Sequence, residues 1–75
     1  PRKRSYKEER EFESIPGRIE ALEQERAALL AESHDPAFYK AAPDRIAFVL
    51  TRIEDVGREL DVLLERWVTL ESIGG

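Results

Sequence analysis

Five cations crowd the first ten residues: Arg2, Lys3, Arg4, Lys7 and Arg10 stand against only Glu8 and Glu9. Clustered Lys and Arg neutralise phosphates by releasing condensed counterions, and such contact is independent of base sequence. The stretch has a net charge of +3, whereas the whole 75-residue chain has −4, so the remainder is acidic at −7. A basic arm on an acidic body has two readings, a nucleic-acid contact or a linker kept soluble by charge. Lys40 and Arg45 make a second, smaller basic group. The acidic remainder argues against tight binding, so contact through these seven residues is expected to be weak and sequence-independent.

Other chemistry is hard to assemble from this composition. There is no Cys, hence no disulfide and no thiolate ligand, and the one His, His34, has no partner ligands at metal-site spacing. No glycine loop that cradles phosphate is present, nor any nucleophile with a base beside it. The carboxylates fall on helix faces open to water, where nothing is expected to shift their pKa values. A non-catalytic segment with no metal or cofactor of its own is expected. No apolar run approaches the roughly 20 residues of a membrane span. Pro1 in place of Met predicts a piece of a longer protein.

Whatever these cations touch, two apolar ladders must position them. Phe12, Ile15, Ile19, Leu22, Arg26 and Leu29 alternate steps of three and four. Ile46, Val49, Ile53, Val56, Leu60, Leu63, Trp67 and Leu70 do the same. A sustained 3.5-residue period is a coiled-coil seam. The stretch Ser33 to Asp44 between the ladders contains two prolines and reads as a turn centred between Ala37 and Phe38. The expected fold is therefore all-α: an antiparallel two-helix coiled-coil hairpin, monomeric, with its first helix kinked near Pro16.

The charges beside the ladders test that pairing. In antiparallel register the g positions pair as Glu11–Arg66, Arg18–Glu59, Glu25–Arg52 and Glu32–Arg45, all opposite in sign. The same register layers Phe12 on Leu63, Ile15 on Leu60, Ile19 on Val56, Leu22 on Ile53, Arg26 on Val49 and Leu29 on Ile46. A shift of one heptad breaks the sign agreement. Exposed ion pairs of this kind set register more than stability.

In chain order, residues 1–4 read as a linker and residues 5–73 as the hairpin. Its helices are expected at about 5–33 and 43–72, with a tip at 34–42. Ser5 with Glu8 forms a capping box. Pro16 marks a kink, or else the first residue of the main helix with Ile15 outside it. Gly57, opposite Pro16, either leaves room for the kink or is incidental. Arg26 covers Val49 with its stem and sends its guanidinium outward; contact with phosphate is the alternative. Asp35 caps a turn starting at Pro36, and Phe38 and Tyr39 fold back to close the seam against Leu30 and Phe48. An aromatic tip that stacks on bases or docks a partner is the functional alternative. Trp67 layers on Glu8, its indole N–H donating to that carboxylate while its ring covers Phe12 and Tyr6; a base-stacking Trp is the alternative. Phe48, Val62 and Val68 lie off the seam as a weak contact stripe.

Several segments, taken in order, resemble a known module. They are Ser5-Tyr6-Lys7-Glu8 with Arg10-Glu11, Pro16 before Ile19-Glu20-Ala21-Leu22-Glu23, Asp35-Pro36-Ala37-Phe38-Tyr39, and Glu65-Arg66-Trp67. The chain is similar to the C-terminal coiled-coil domain of ABC-F ATP-binding-cassette ATPases, in particular the Uup type. That resemblance implies two upstream cassettes that use ATP and Mg, a charged linker ending near Arg4, and a cytosolic, ribosome-associated parent without membrane spans. It also implies DNA or structured RNA as a partner, or alternatively docking on the parent's own cassettes or the ribosome. It transfers no catalytic residue onto this chain.

Overall fold

A computed structural model describes residues 2–74. Pro1 at the start of the expected linker and Gly75 beyond the second helix lie outside the described residues. Two α-helices, α1 (Tyr6–Ser33) and α2 (Pro43–Gly74), flank a short 3₁₀ turn at Phe38–Lys40. They pack antiparallel into a rod 56 Å long and 15 Å across.

Local chemistry sets the ends of the helices. Ser5 Oγ accepts from the Glu8 amide at 3.1 Å, and Glu8 Oε1 accepts from the Ser5 amide at 2.8 Å, which closes the capping box. At the other end of α1 the His34 amide donates to the Leu30 carbonyl at 3.0 Å. Asp35 Oδ1 then accepts from the Ala37 amide at 2.7 Å, and the Asp35 carbonyl accepts from the Phe38 amide at 2.9 Å. A short side chain that bonds its own backbone two residues on competes with helix and turns the chain. Pro43 opens α2, where a missing N–H costs nothing.

α1 begins at Tyr6 and runs through Pro16 as one element, so the alternative start at Pro16 does not occur. Pro16 is exposed and has no N–H for the Phe12 carbonyl, so the ladder lacks one rung there; this is the physical origin of a kink. α2 extends to Gly74, past the expected end at residue 72. A Cβ built on Gly57 meets nothing within 4 Å, which favours the incidental reading of that glycine.

The core forms two clusters along the seam. At the open end Ile15, Leu63 and Leu70 are buried, with Phe12, Ile19, Leu22, Trp67 and Ile73 packed on them. At the tip Leu29, Phe38 and Val49 are buried, flanked by Ile46 and Ile53. Between the two clusters Val56 and Leu60 are buried as well, and Arg26 and Gly57 line one shallow cleft with Ile19, Leu60 and Leu64.

Three of the four expected ionic rungs close. Arg66 Nε, Arg52 Nε and Arg45 Nη2 each donate at 2.6 Å, to Glu11, Glu25 and Glu32 respectively, and each guanidinium adds a second bond to the same carboxylate. Paired donors in a planar fork match a carboxylate edge on. The fourth rung, Arg18–Glu59, does not form: Arg52 Nη1 approaches Glu59 at 3.6 Å instead. Arg18 and Glu59 line one cleft with Ala21, Leu22, Val62 and Leu63 without pairing.

Two aromatic expectations change as well. Phe38 packs inward against Leu29 and Val49 and is 4% exposed, but Tyr39 points out and is 70% exposed. A 3₁₀ turn places consecutive side chains about 120° apart, so only one of the two can face the seam. The Trp67 ring covers Phe12 as expected, with ring centroids 4.1 Å apart and planes within 13°, but the Glu8 carboxylate expected to take its indole N–H is held by the capping box and Arg2.

Candidate nucleic-acid interface

The seven candidate cations fall into two groups at opposite ends of the rod. Arg2, Lys3, Arg4, Lys7 and Arg10 surround the start of α1 at the open end, while Lys40 and Arg45 lie at the tip. No single surface gathers them.

Within the open-end group the side chains differ in what they are free to do. Arg2 makes two bonds to Glu8, at 2.7 and 3.0 Å. That pairing, with the Ser5 amide bond second, holds the Glu8 carboxyl down at about 2 and raises the Arg2 guanidinium. Arg2 keeps 61% of its side chain in water, so a phosphate can still reach it.

Arg4 is spoken for. Its Nε donates to Glu9 at 2.7 Å and its Nη1 to the Leu70 carbonyl at 2.8 Å, a bond across 66 residues of sequence. Its guanidinium lies 4.0 Å from the Phe12 ring centroid. Trp67 stacks on the same ring at nearly the same distance, so the two must take opposite faces and Phe12 is sandwiched. Gly74 leaves room for this: its Cβ, if present, would stand 2.5 Å from Arg4 Cζ. Arg4 therefore ties the arm to the end of α2 and is an anchor of the fold.

Lys3, Lys7 and Arg10 are exposed and form no ion pair within 4.0 Å among the described residues. Arg10 instead donates from Nη1 to the Tyr6 hydroxyl at 3.0 Å. Three of the carboxylates nearby in sequence are engaged elsewhere, Glu8 by Arg2, Glu9 by Arg4, and Glu11 by Arg66, while Glu13 is exposed and outside these pairs. Pairing with Arg66 is also what lowers the Glu11 carboxyl. The open end therefore presents three unpaired cations although acidic residues are interleaved with them.

At the tip Lys40 is exposed without an ion pair among the described residues, but Arg45 is held by Glu32. Arg45 also lies 5.3 Å from the Phe48 ring. Pairing raises Arg45 and lowers Glu32, so the charge there is largely neutralised. Among the described residues no group of His, Cys, Asp or Glu could hold a metal ion. No helix among them is long and apolar enough to cross a membrane.

Sequence reasoning missed two participants. The exposed Tyr6, with Arg10 one turn on, was legible as an i, i+4 pair. The docking of Arg4 was not, since nothing local announces a partner 66 residues away.

Comparison with known proteins bears on this architecture. The family described as the ABC transporter C-terminal domain matches residues 3–72. An ATP-binding protein Uup-like of Haemophilus influenzae is 42% identical over 70 residues, which is 93% of this chain but 15% of that protein. The ATP-binding protein Uup of Haemophilus influenzae shows the same identity over 93% of this chain and 11% of its own length. The ATP-binding protein Uup of Escherichia coli K12 is 34% identical over 71 residues, 95% of this chain and 11% of that protein. The chain thus spans only a small part of the curated relatives it matches. No solved structure matches it significantly. A charged helical hairpin that matches this family along nearly its whole length belongs to it: the chain is a member of the ABC transporter C-terminal domain family, of the Uup type.

Proposed function

We propose that this hairpin is a non-catalytic accessory domain of an ABC-F ATPase, which makes weak, sequence-independent contact with nucleic acid, DNA first of all, through its open end. The observation that carries the reading is the set of unpaired cations Lys3, Lys7 and Arg10, left free because Glu8, Glu9 and Glu11 are bound elsewhere. Arg2 joins them by exchanging Glu8 for a phosphate, while Arg4 holds the arm in place. Lys40 and Arg45 belong to a separate and weaker contact. The parent would be cytoplasmic, with ATP and Mg bound in cassettes outside these residues.

Salt dependence tests the electrostatic mechanism. Three phosphate contacts give a slope of log K on log salt of about −2.7, so a fourfold rise in salt weakens binding by about 40-fold. Fluorescence anisotropy with a labelled oligonucleotide at 50 and 200 mM salt reads this directly. The triple variant Lys3→Ala, Lys7→Ala, Arg10→Ala should bind weakly and with a much shallower salt response, since only Arg2 remains to meet a phosphate. Binding that ignores salt, or survives the triple variant, refutes the proposal.

A second reading has its own observation. Phe48, Val62, Leu64 and Val68 on α2 each expose half or more of their surface. Phe48 and Val62 share one heptad position, and that face supports docking on the ATPase cassettes or the ribosome, with the hairpin acting as a spacer. Loss of partner capture in Phe48→Ser and Val62→Ser, with oligonucleotide affinity unchanged, would favour it.

A further inference from the structure

We propose that Tyr6 is a stacking platform for an unpaired base, so that the nucleic acid taken by the open end is single-stranded or carries an unpaired stretch. This rests on the electrostatic reading above and names the kind of nucleic acid involved.

The argument compares two Arg–aromatic pairs at the same end of the rod. In the first, Arg4 lies 4.0 Å from the Phe12 centroid and Trp67 covers the other face, so the ring is closed to any ligand. In the second, Arg10 Cζ stands 5.8 Å from the Tyr6 centroid while its Nη1 bonds the hydroxyl at 3.0 Å. That distance puts the guanidinium at the hydroxyl end of the ring, away from the centre of either face. Tyr6 is 78% exposed, the highest value among the large apolar side chains that reach solvent. Nothing in the core uses it.

Two features make this ring more than a stray surface tyrosine. The bond from Arg10 fixes the hydroxyl end, so a base would meet a ring already oriented. The unpaired cations Lys3, Lys7 and Arg10 lie within four residues of it and supply the charge a strand's phosphates need. A stacking aromatic set in a positive surface is how sequence-tolerant single-strand binding works, since every base offers a π face. A duplex offers its phosphates here but keeps its bases stacked on one another. Tyr39 is the control within the same molecule. It is 70% exposed, but its region holds Asp35 and Asp44, and Arg45 there is tied to Glu32. Exposure alone is thus present at both ends, and unpaired positive charge in number only at the open end.

Competition separates the stacking inference from the charge-only mechanism. Labelled oligo-dT and a duplex of matched phosphate number are titrated into the domain at 50 mM salt. The proteins are wild type, Tyr6→Ala, Tyr6→Trp and Tyr39→Ala, each checked for unchanged helicity. The expected result is that Tyr6→Ala weakens oligo-dT by about fivefold or more, the low end for loss of one stacked base. Duplex affinity stays put, Tyr6→Trp retains oligo-dT binding, and Tyr39→Ala changes neither. If Tyr6→Ala leaves oligo-dT affinity intact, or weakens duplex equally, while binding still falls with salt, stacking is overturned and the electrostatic reading stands. If wild type binds neither ligand in a salt-dependent way, both fall together.

Discussion

Replacing Phe38 by Ala should cost the hairpin much of its stability, and replacing its neighbour Tyr39 almost none. Phe38 is 4% exposed and closes the tip cluster with Leu29 and Val49. Removing a buried phenyl ring costs about 3–5 kcal/mol, and the lower figure applies at a tip that can partly collapse. A domain of this length has about 4–11 kcal/mol in total. Its unfolding entropy, at about 2.1 cal/mol/K per residue, converts 3 kcal/mol into a fall of about 20 °C in Tm. Tyr39 is 70% exposed and touches Phe38 edge on, with centroids 4.9 Å apart and planes at 78°. Surface changes of that kind stay within about 0.5 kcal/mol, or about 3 °C. Thermal melts followed by circular dichroism at 222 nm measure both, with Phe38→Leu as a size control that should fall between them. Equal losses at the two positions, or a Phe38→Ala shift under about 5 °C, would refute the assignment of Phe38 to the core and with it the closed tip.

Three further outcomes follow from named contacts. Glu25→Arg alone should lower Tm by setting like charges across the closed Glu25–Arg52 rung, and adding Arg52→Glu should restore it; failure of the rescue would deny that this rung fixes register. Acid should weaken the fold, because Arg2, Arg66, Arg52 and Arg45 hold Glu8, Glu11, Glu25 and Glu32 below their ordinary value of 4.5. Their stabilisation is present above that value and lost as the pH falls through the folded values, about 2 for Glu8, so Tm should drop between pH 5 and pH 2 and a flat profile would contradict it. Gly57→Ala should raise Tm by roughly 3–6 °C, since a methyl group meets nothing there and Gly costs up to about 1 kcal/mol in a helix interior; a fall would show that the position needs its space.

The relation between the cations and their neighbours also explains how an acidic hairpin can present a basic end. Salt bridges to Arg2, Arg4 and Arg66 neutralise Glu8, Glu9 and Glu11 together with those arginines, so the net +3 of the first ten residues resides on Lys3, Lys7 and Arg10. The net charge of −4 therefore conceals three unpaired cations at the open end, whereas Arg45 at the tip is matched by Glu32. Ionic pairs across the seam have this second consequence besides fixing register: they choose which charges remain available.

The two helices, their antiparallel pairing and three of the four ionic rungs were legible in the order of residues along the chain. A helix fixes the direction of each side chain relative to its own axis, so spacing and charge sign are enough to align two such axes. Tertiary structure alone decided that Arg4 reaches the Leu70 carbonyl, that Phe38 turns in while Tyr39 turns out, and that Arg18 and Glu59 stay apart. Those outcomes depend on where a loose arm lands, how a three-residue turn is phased, and which of two arginines a carboxylate meets first. Periodicity carries no record of such distances, which exist only once both helices are in place.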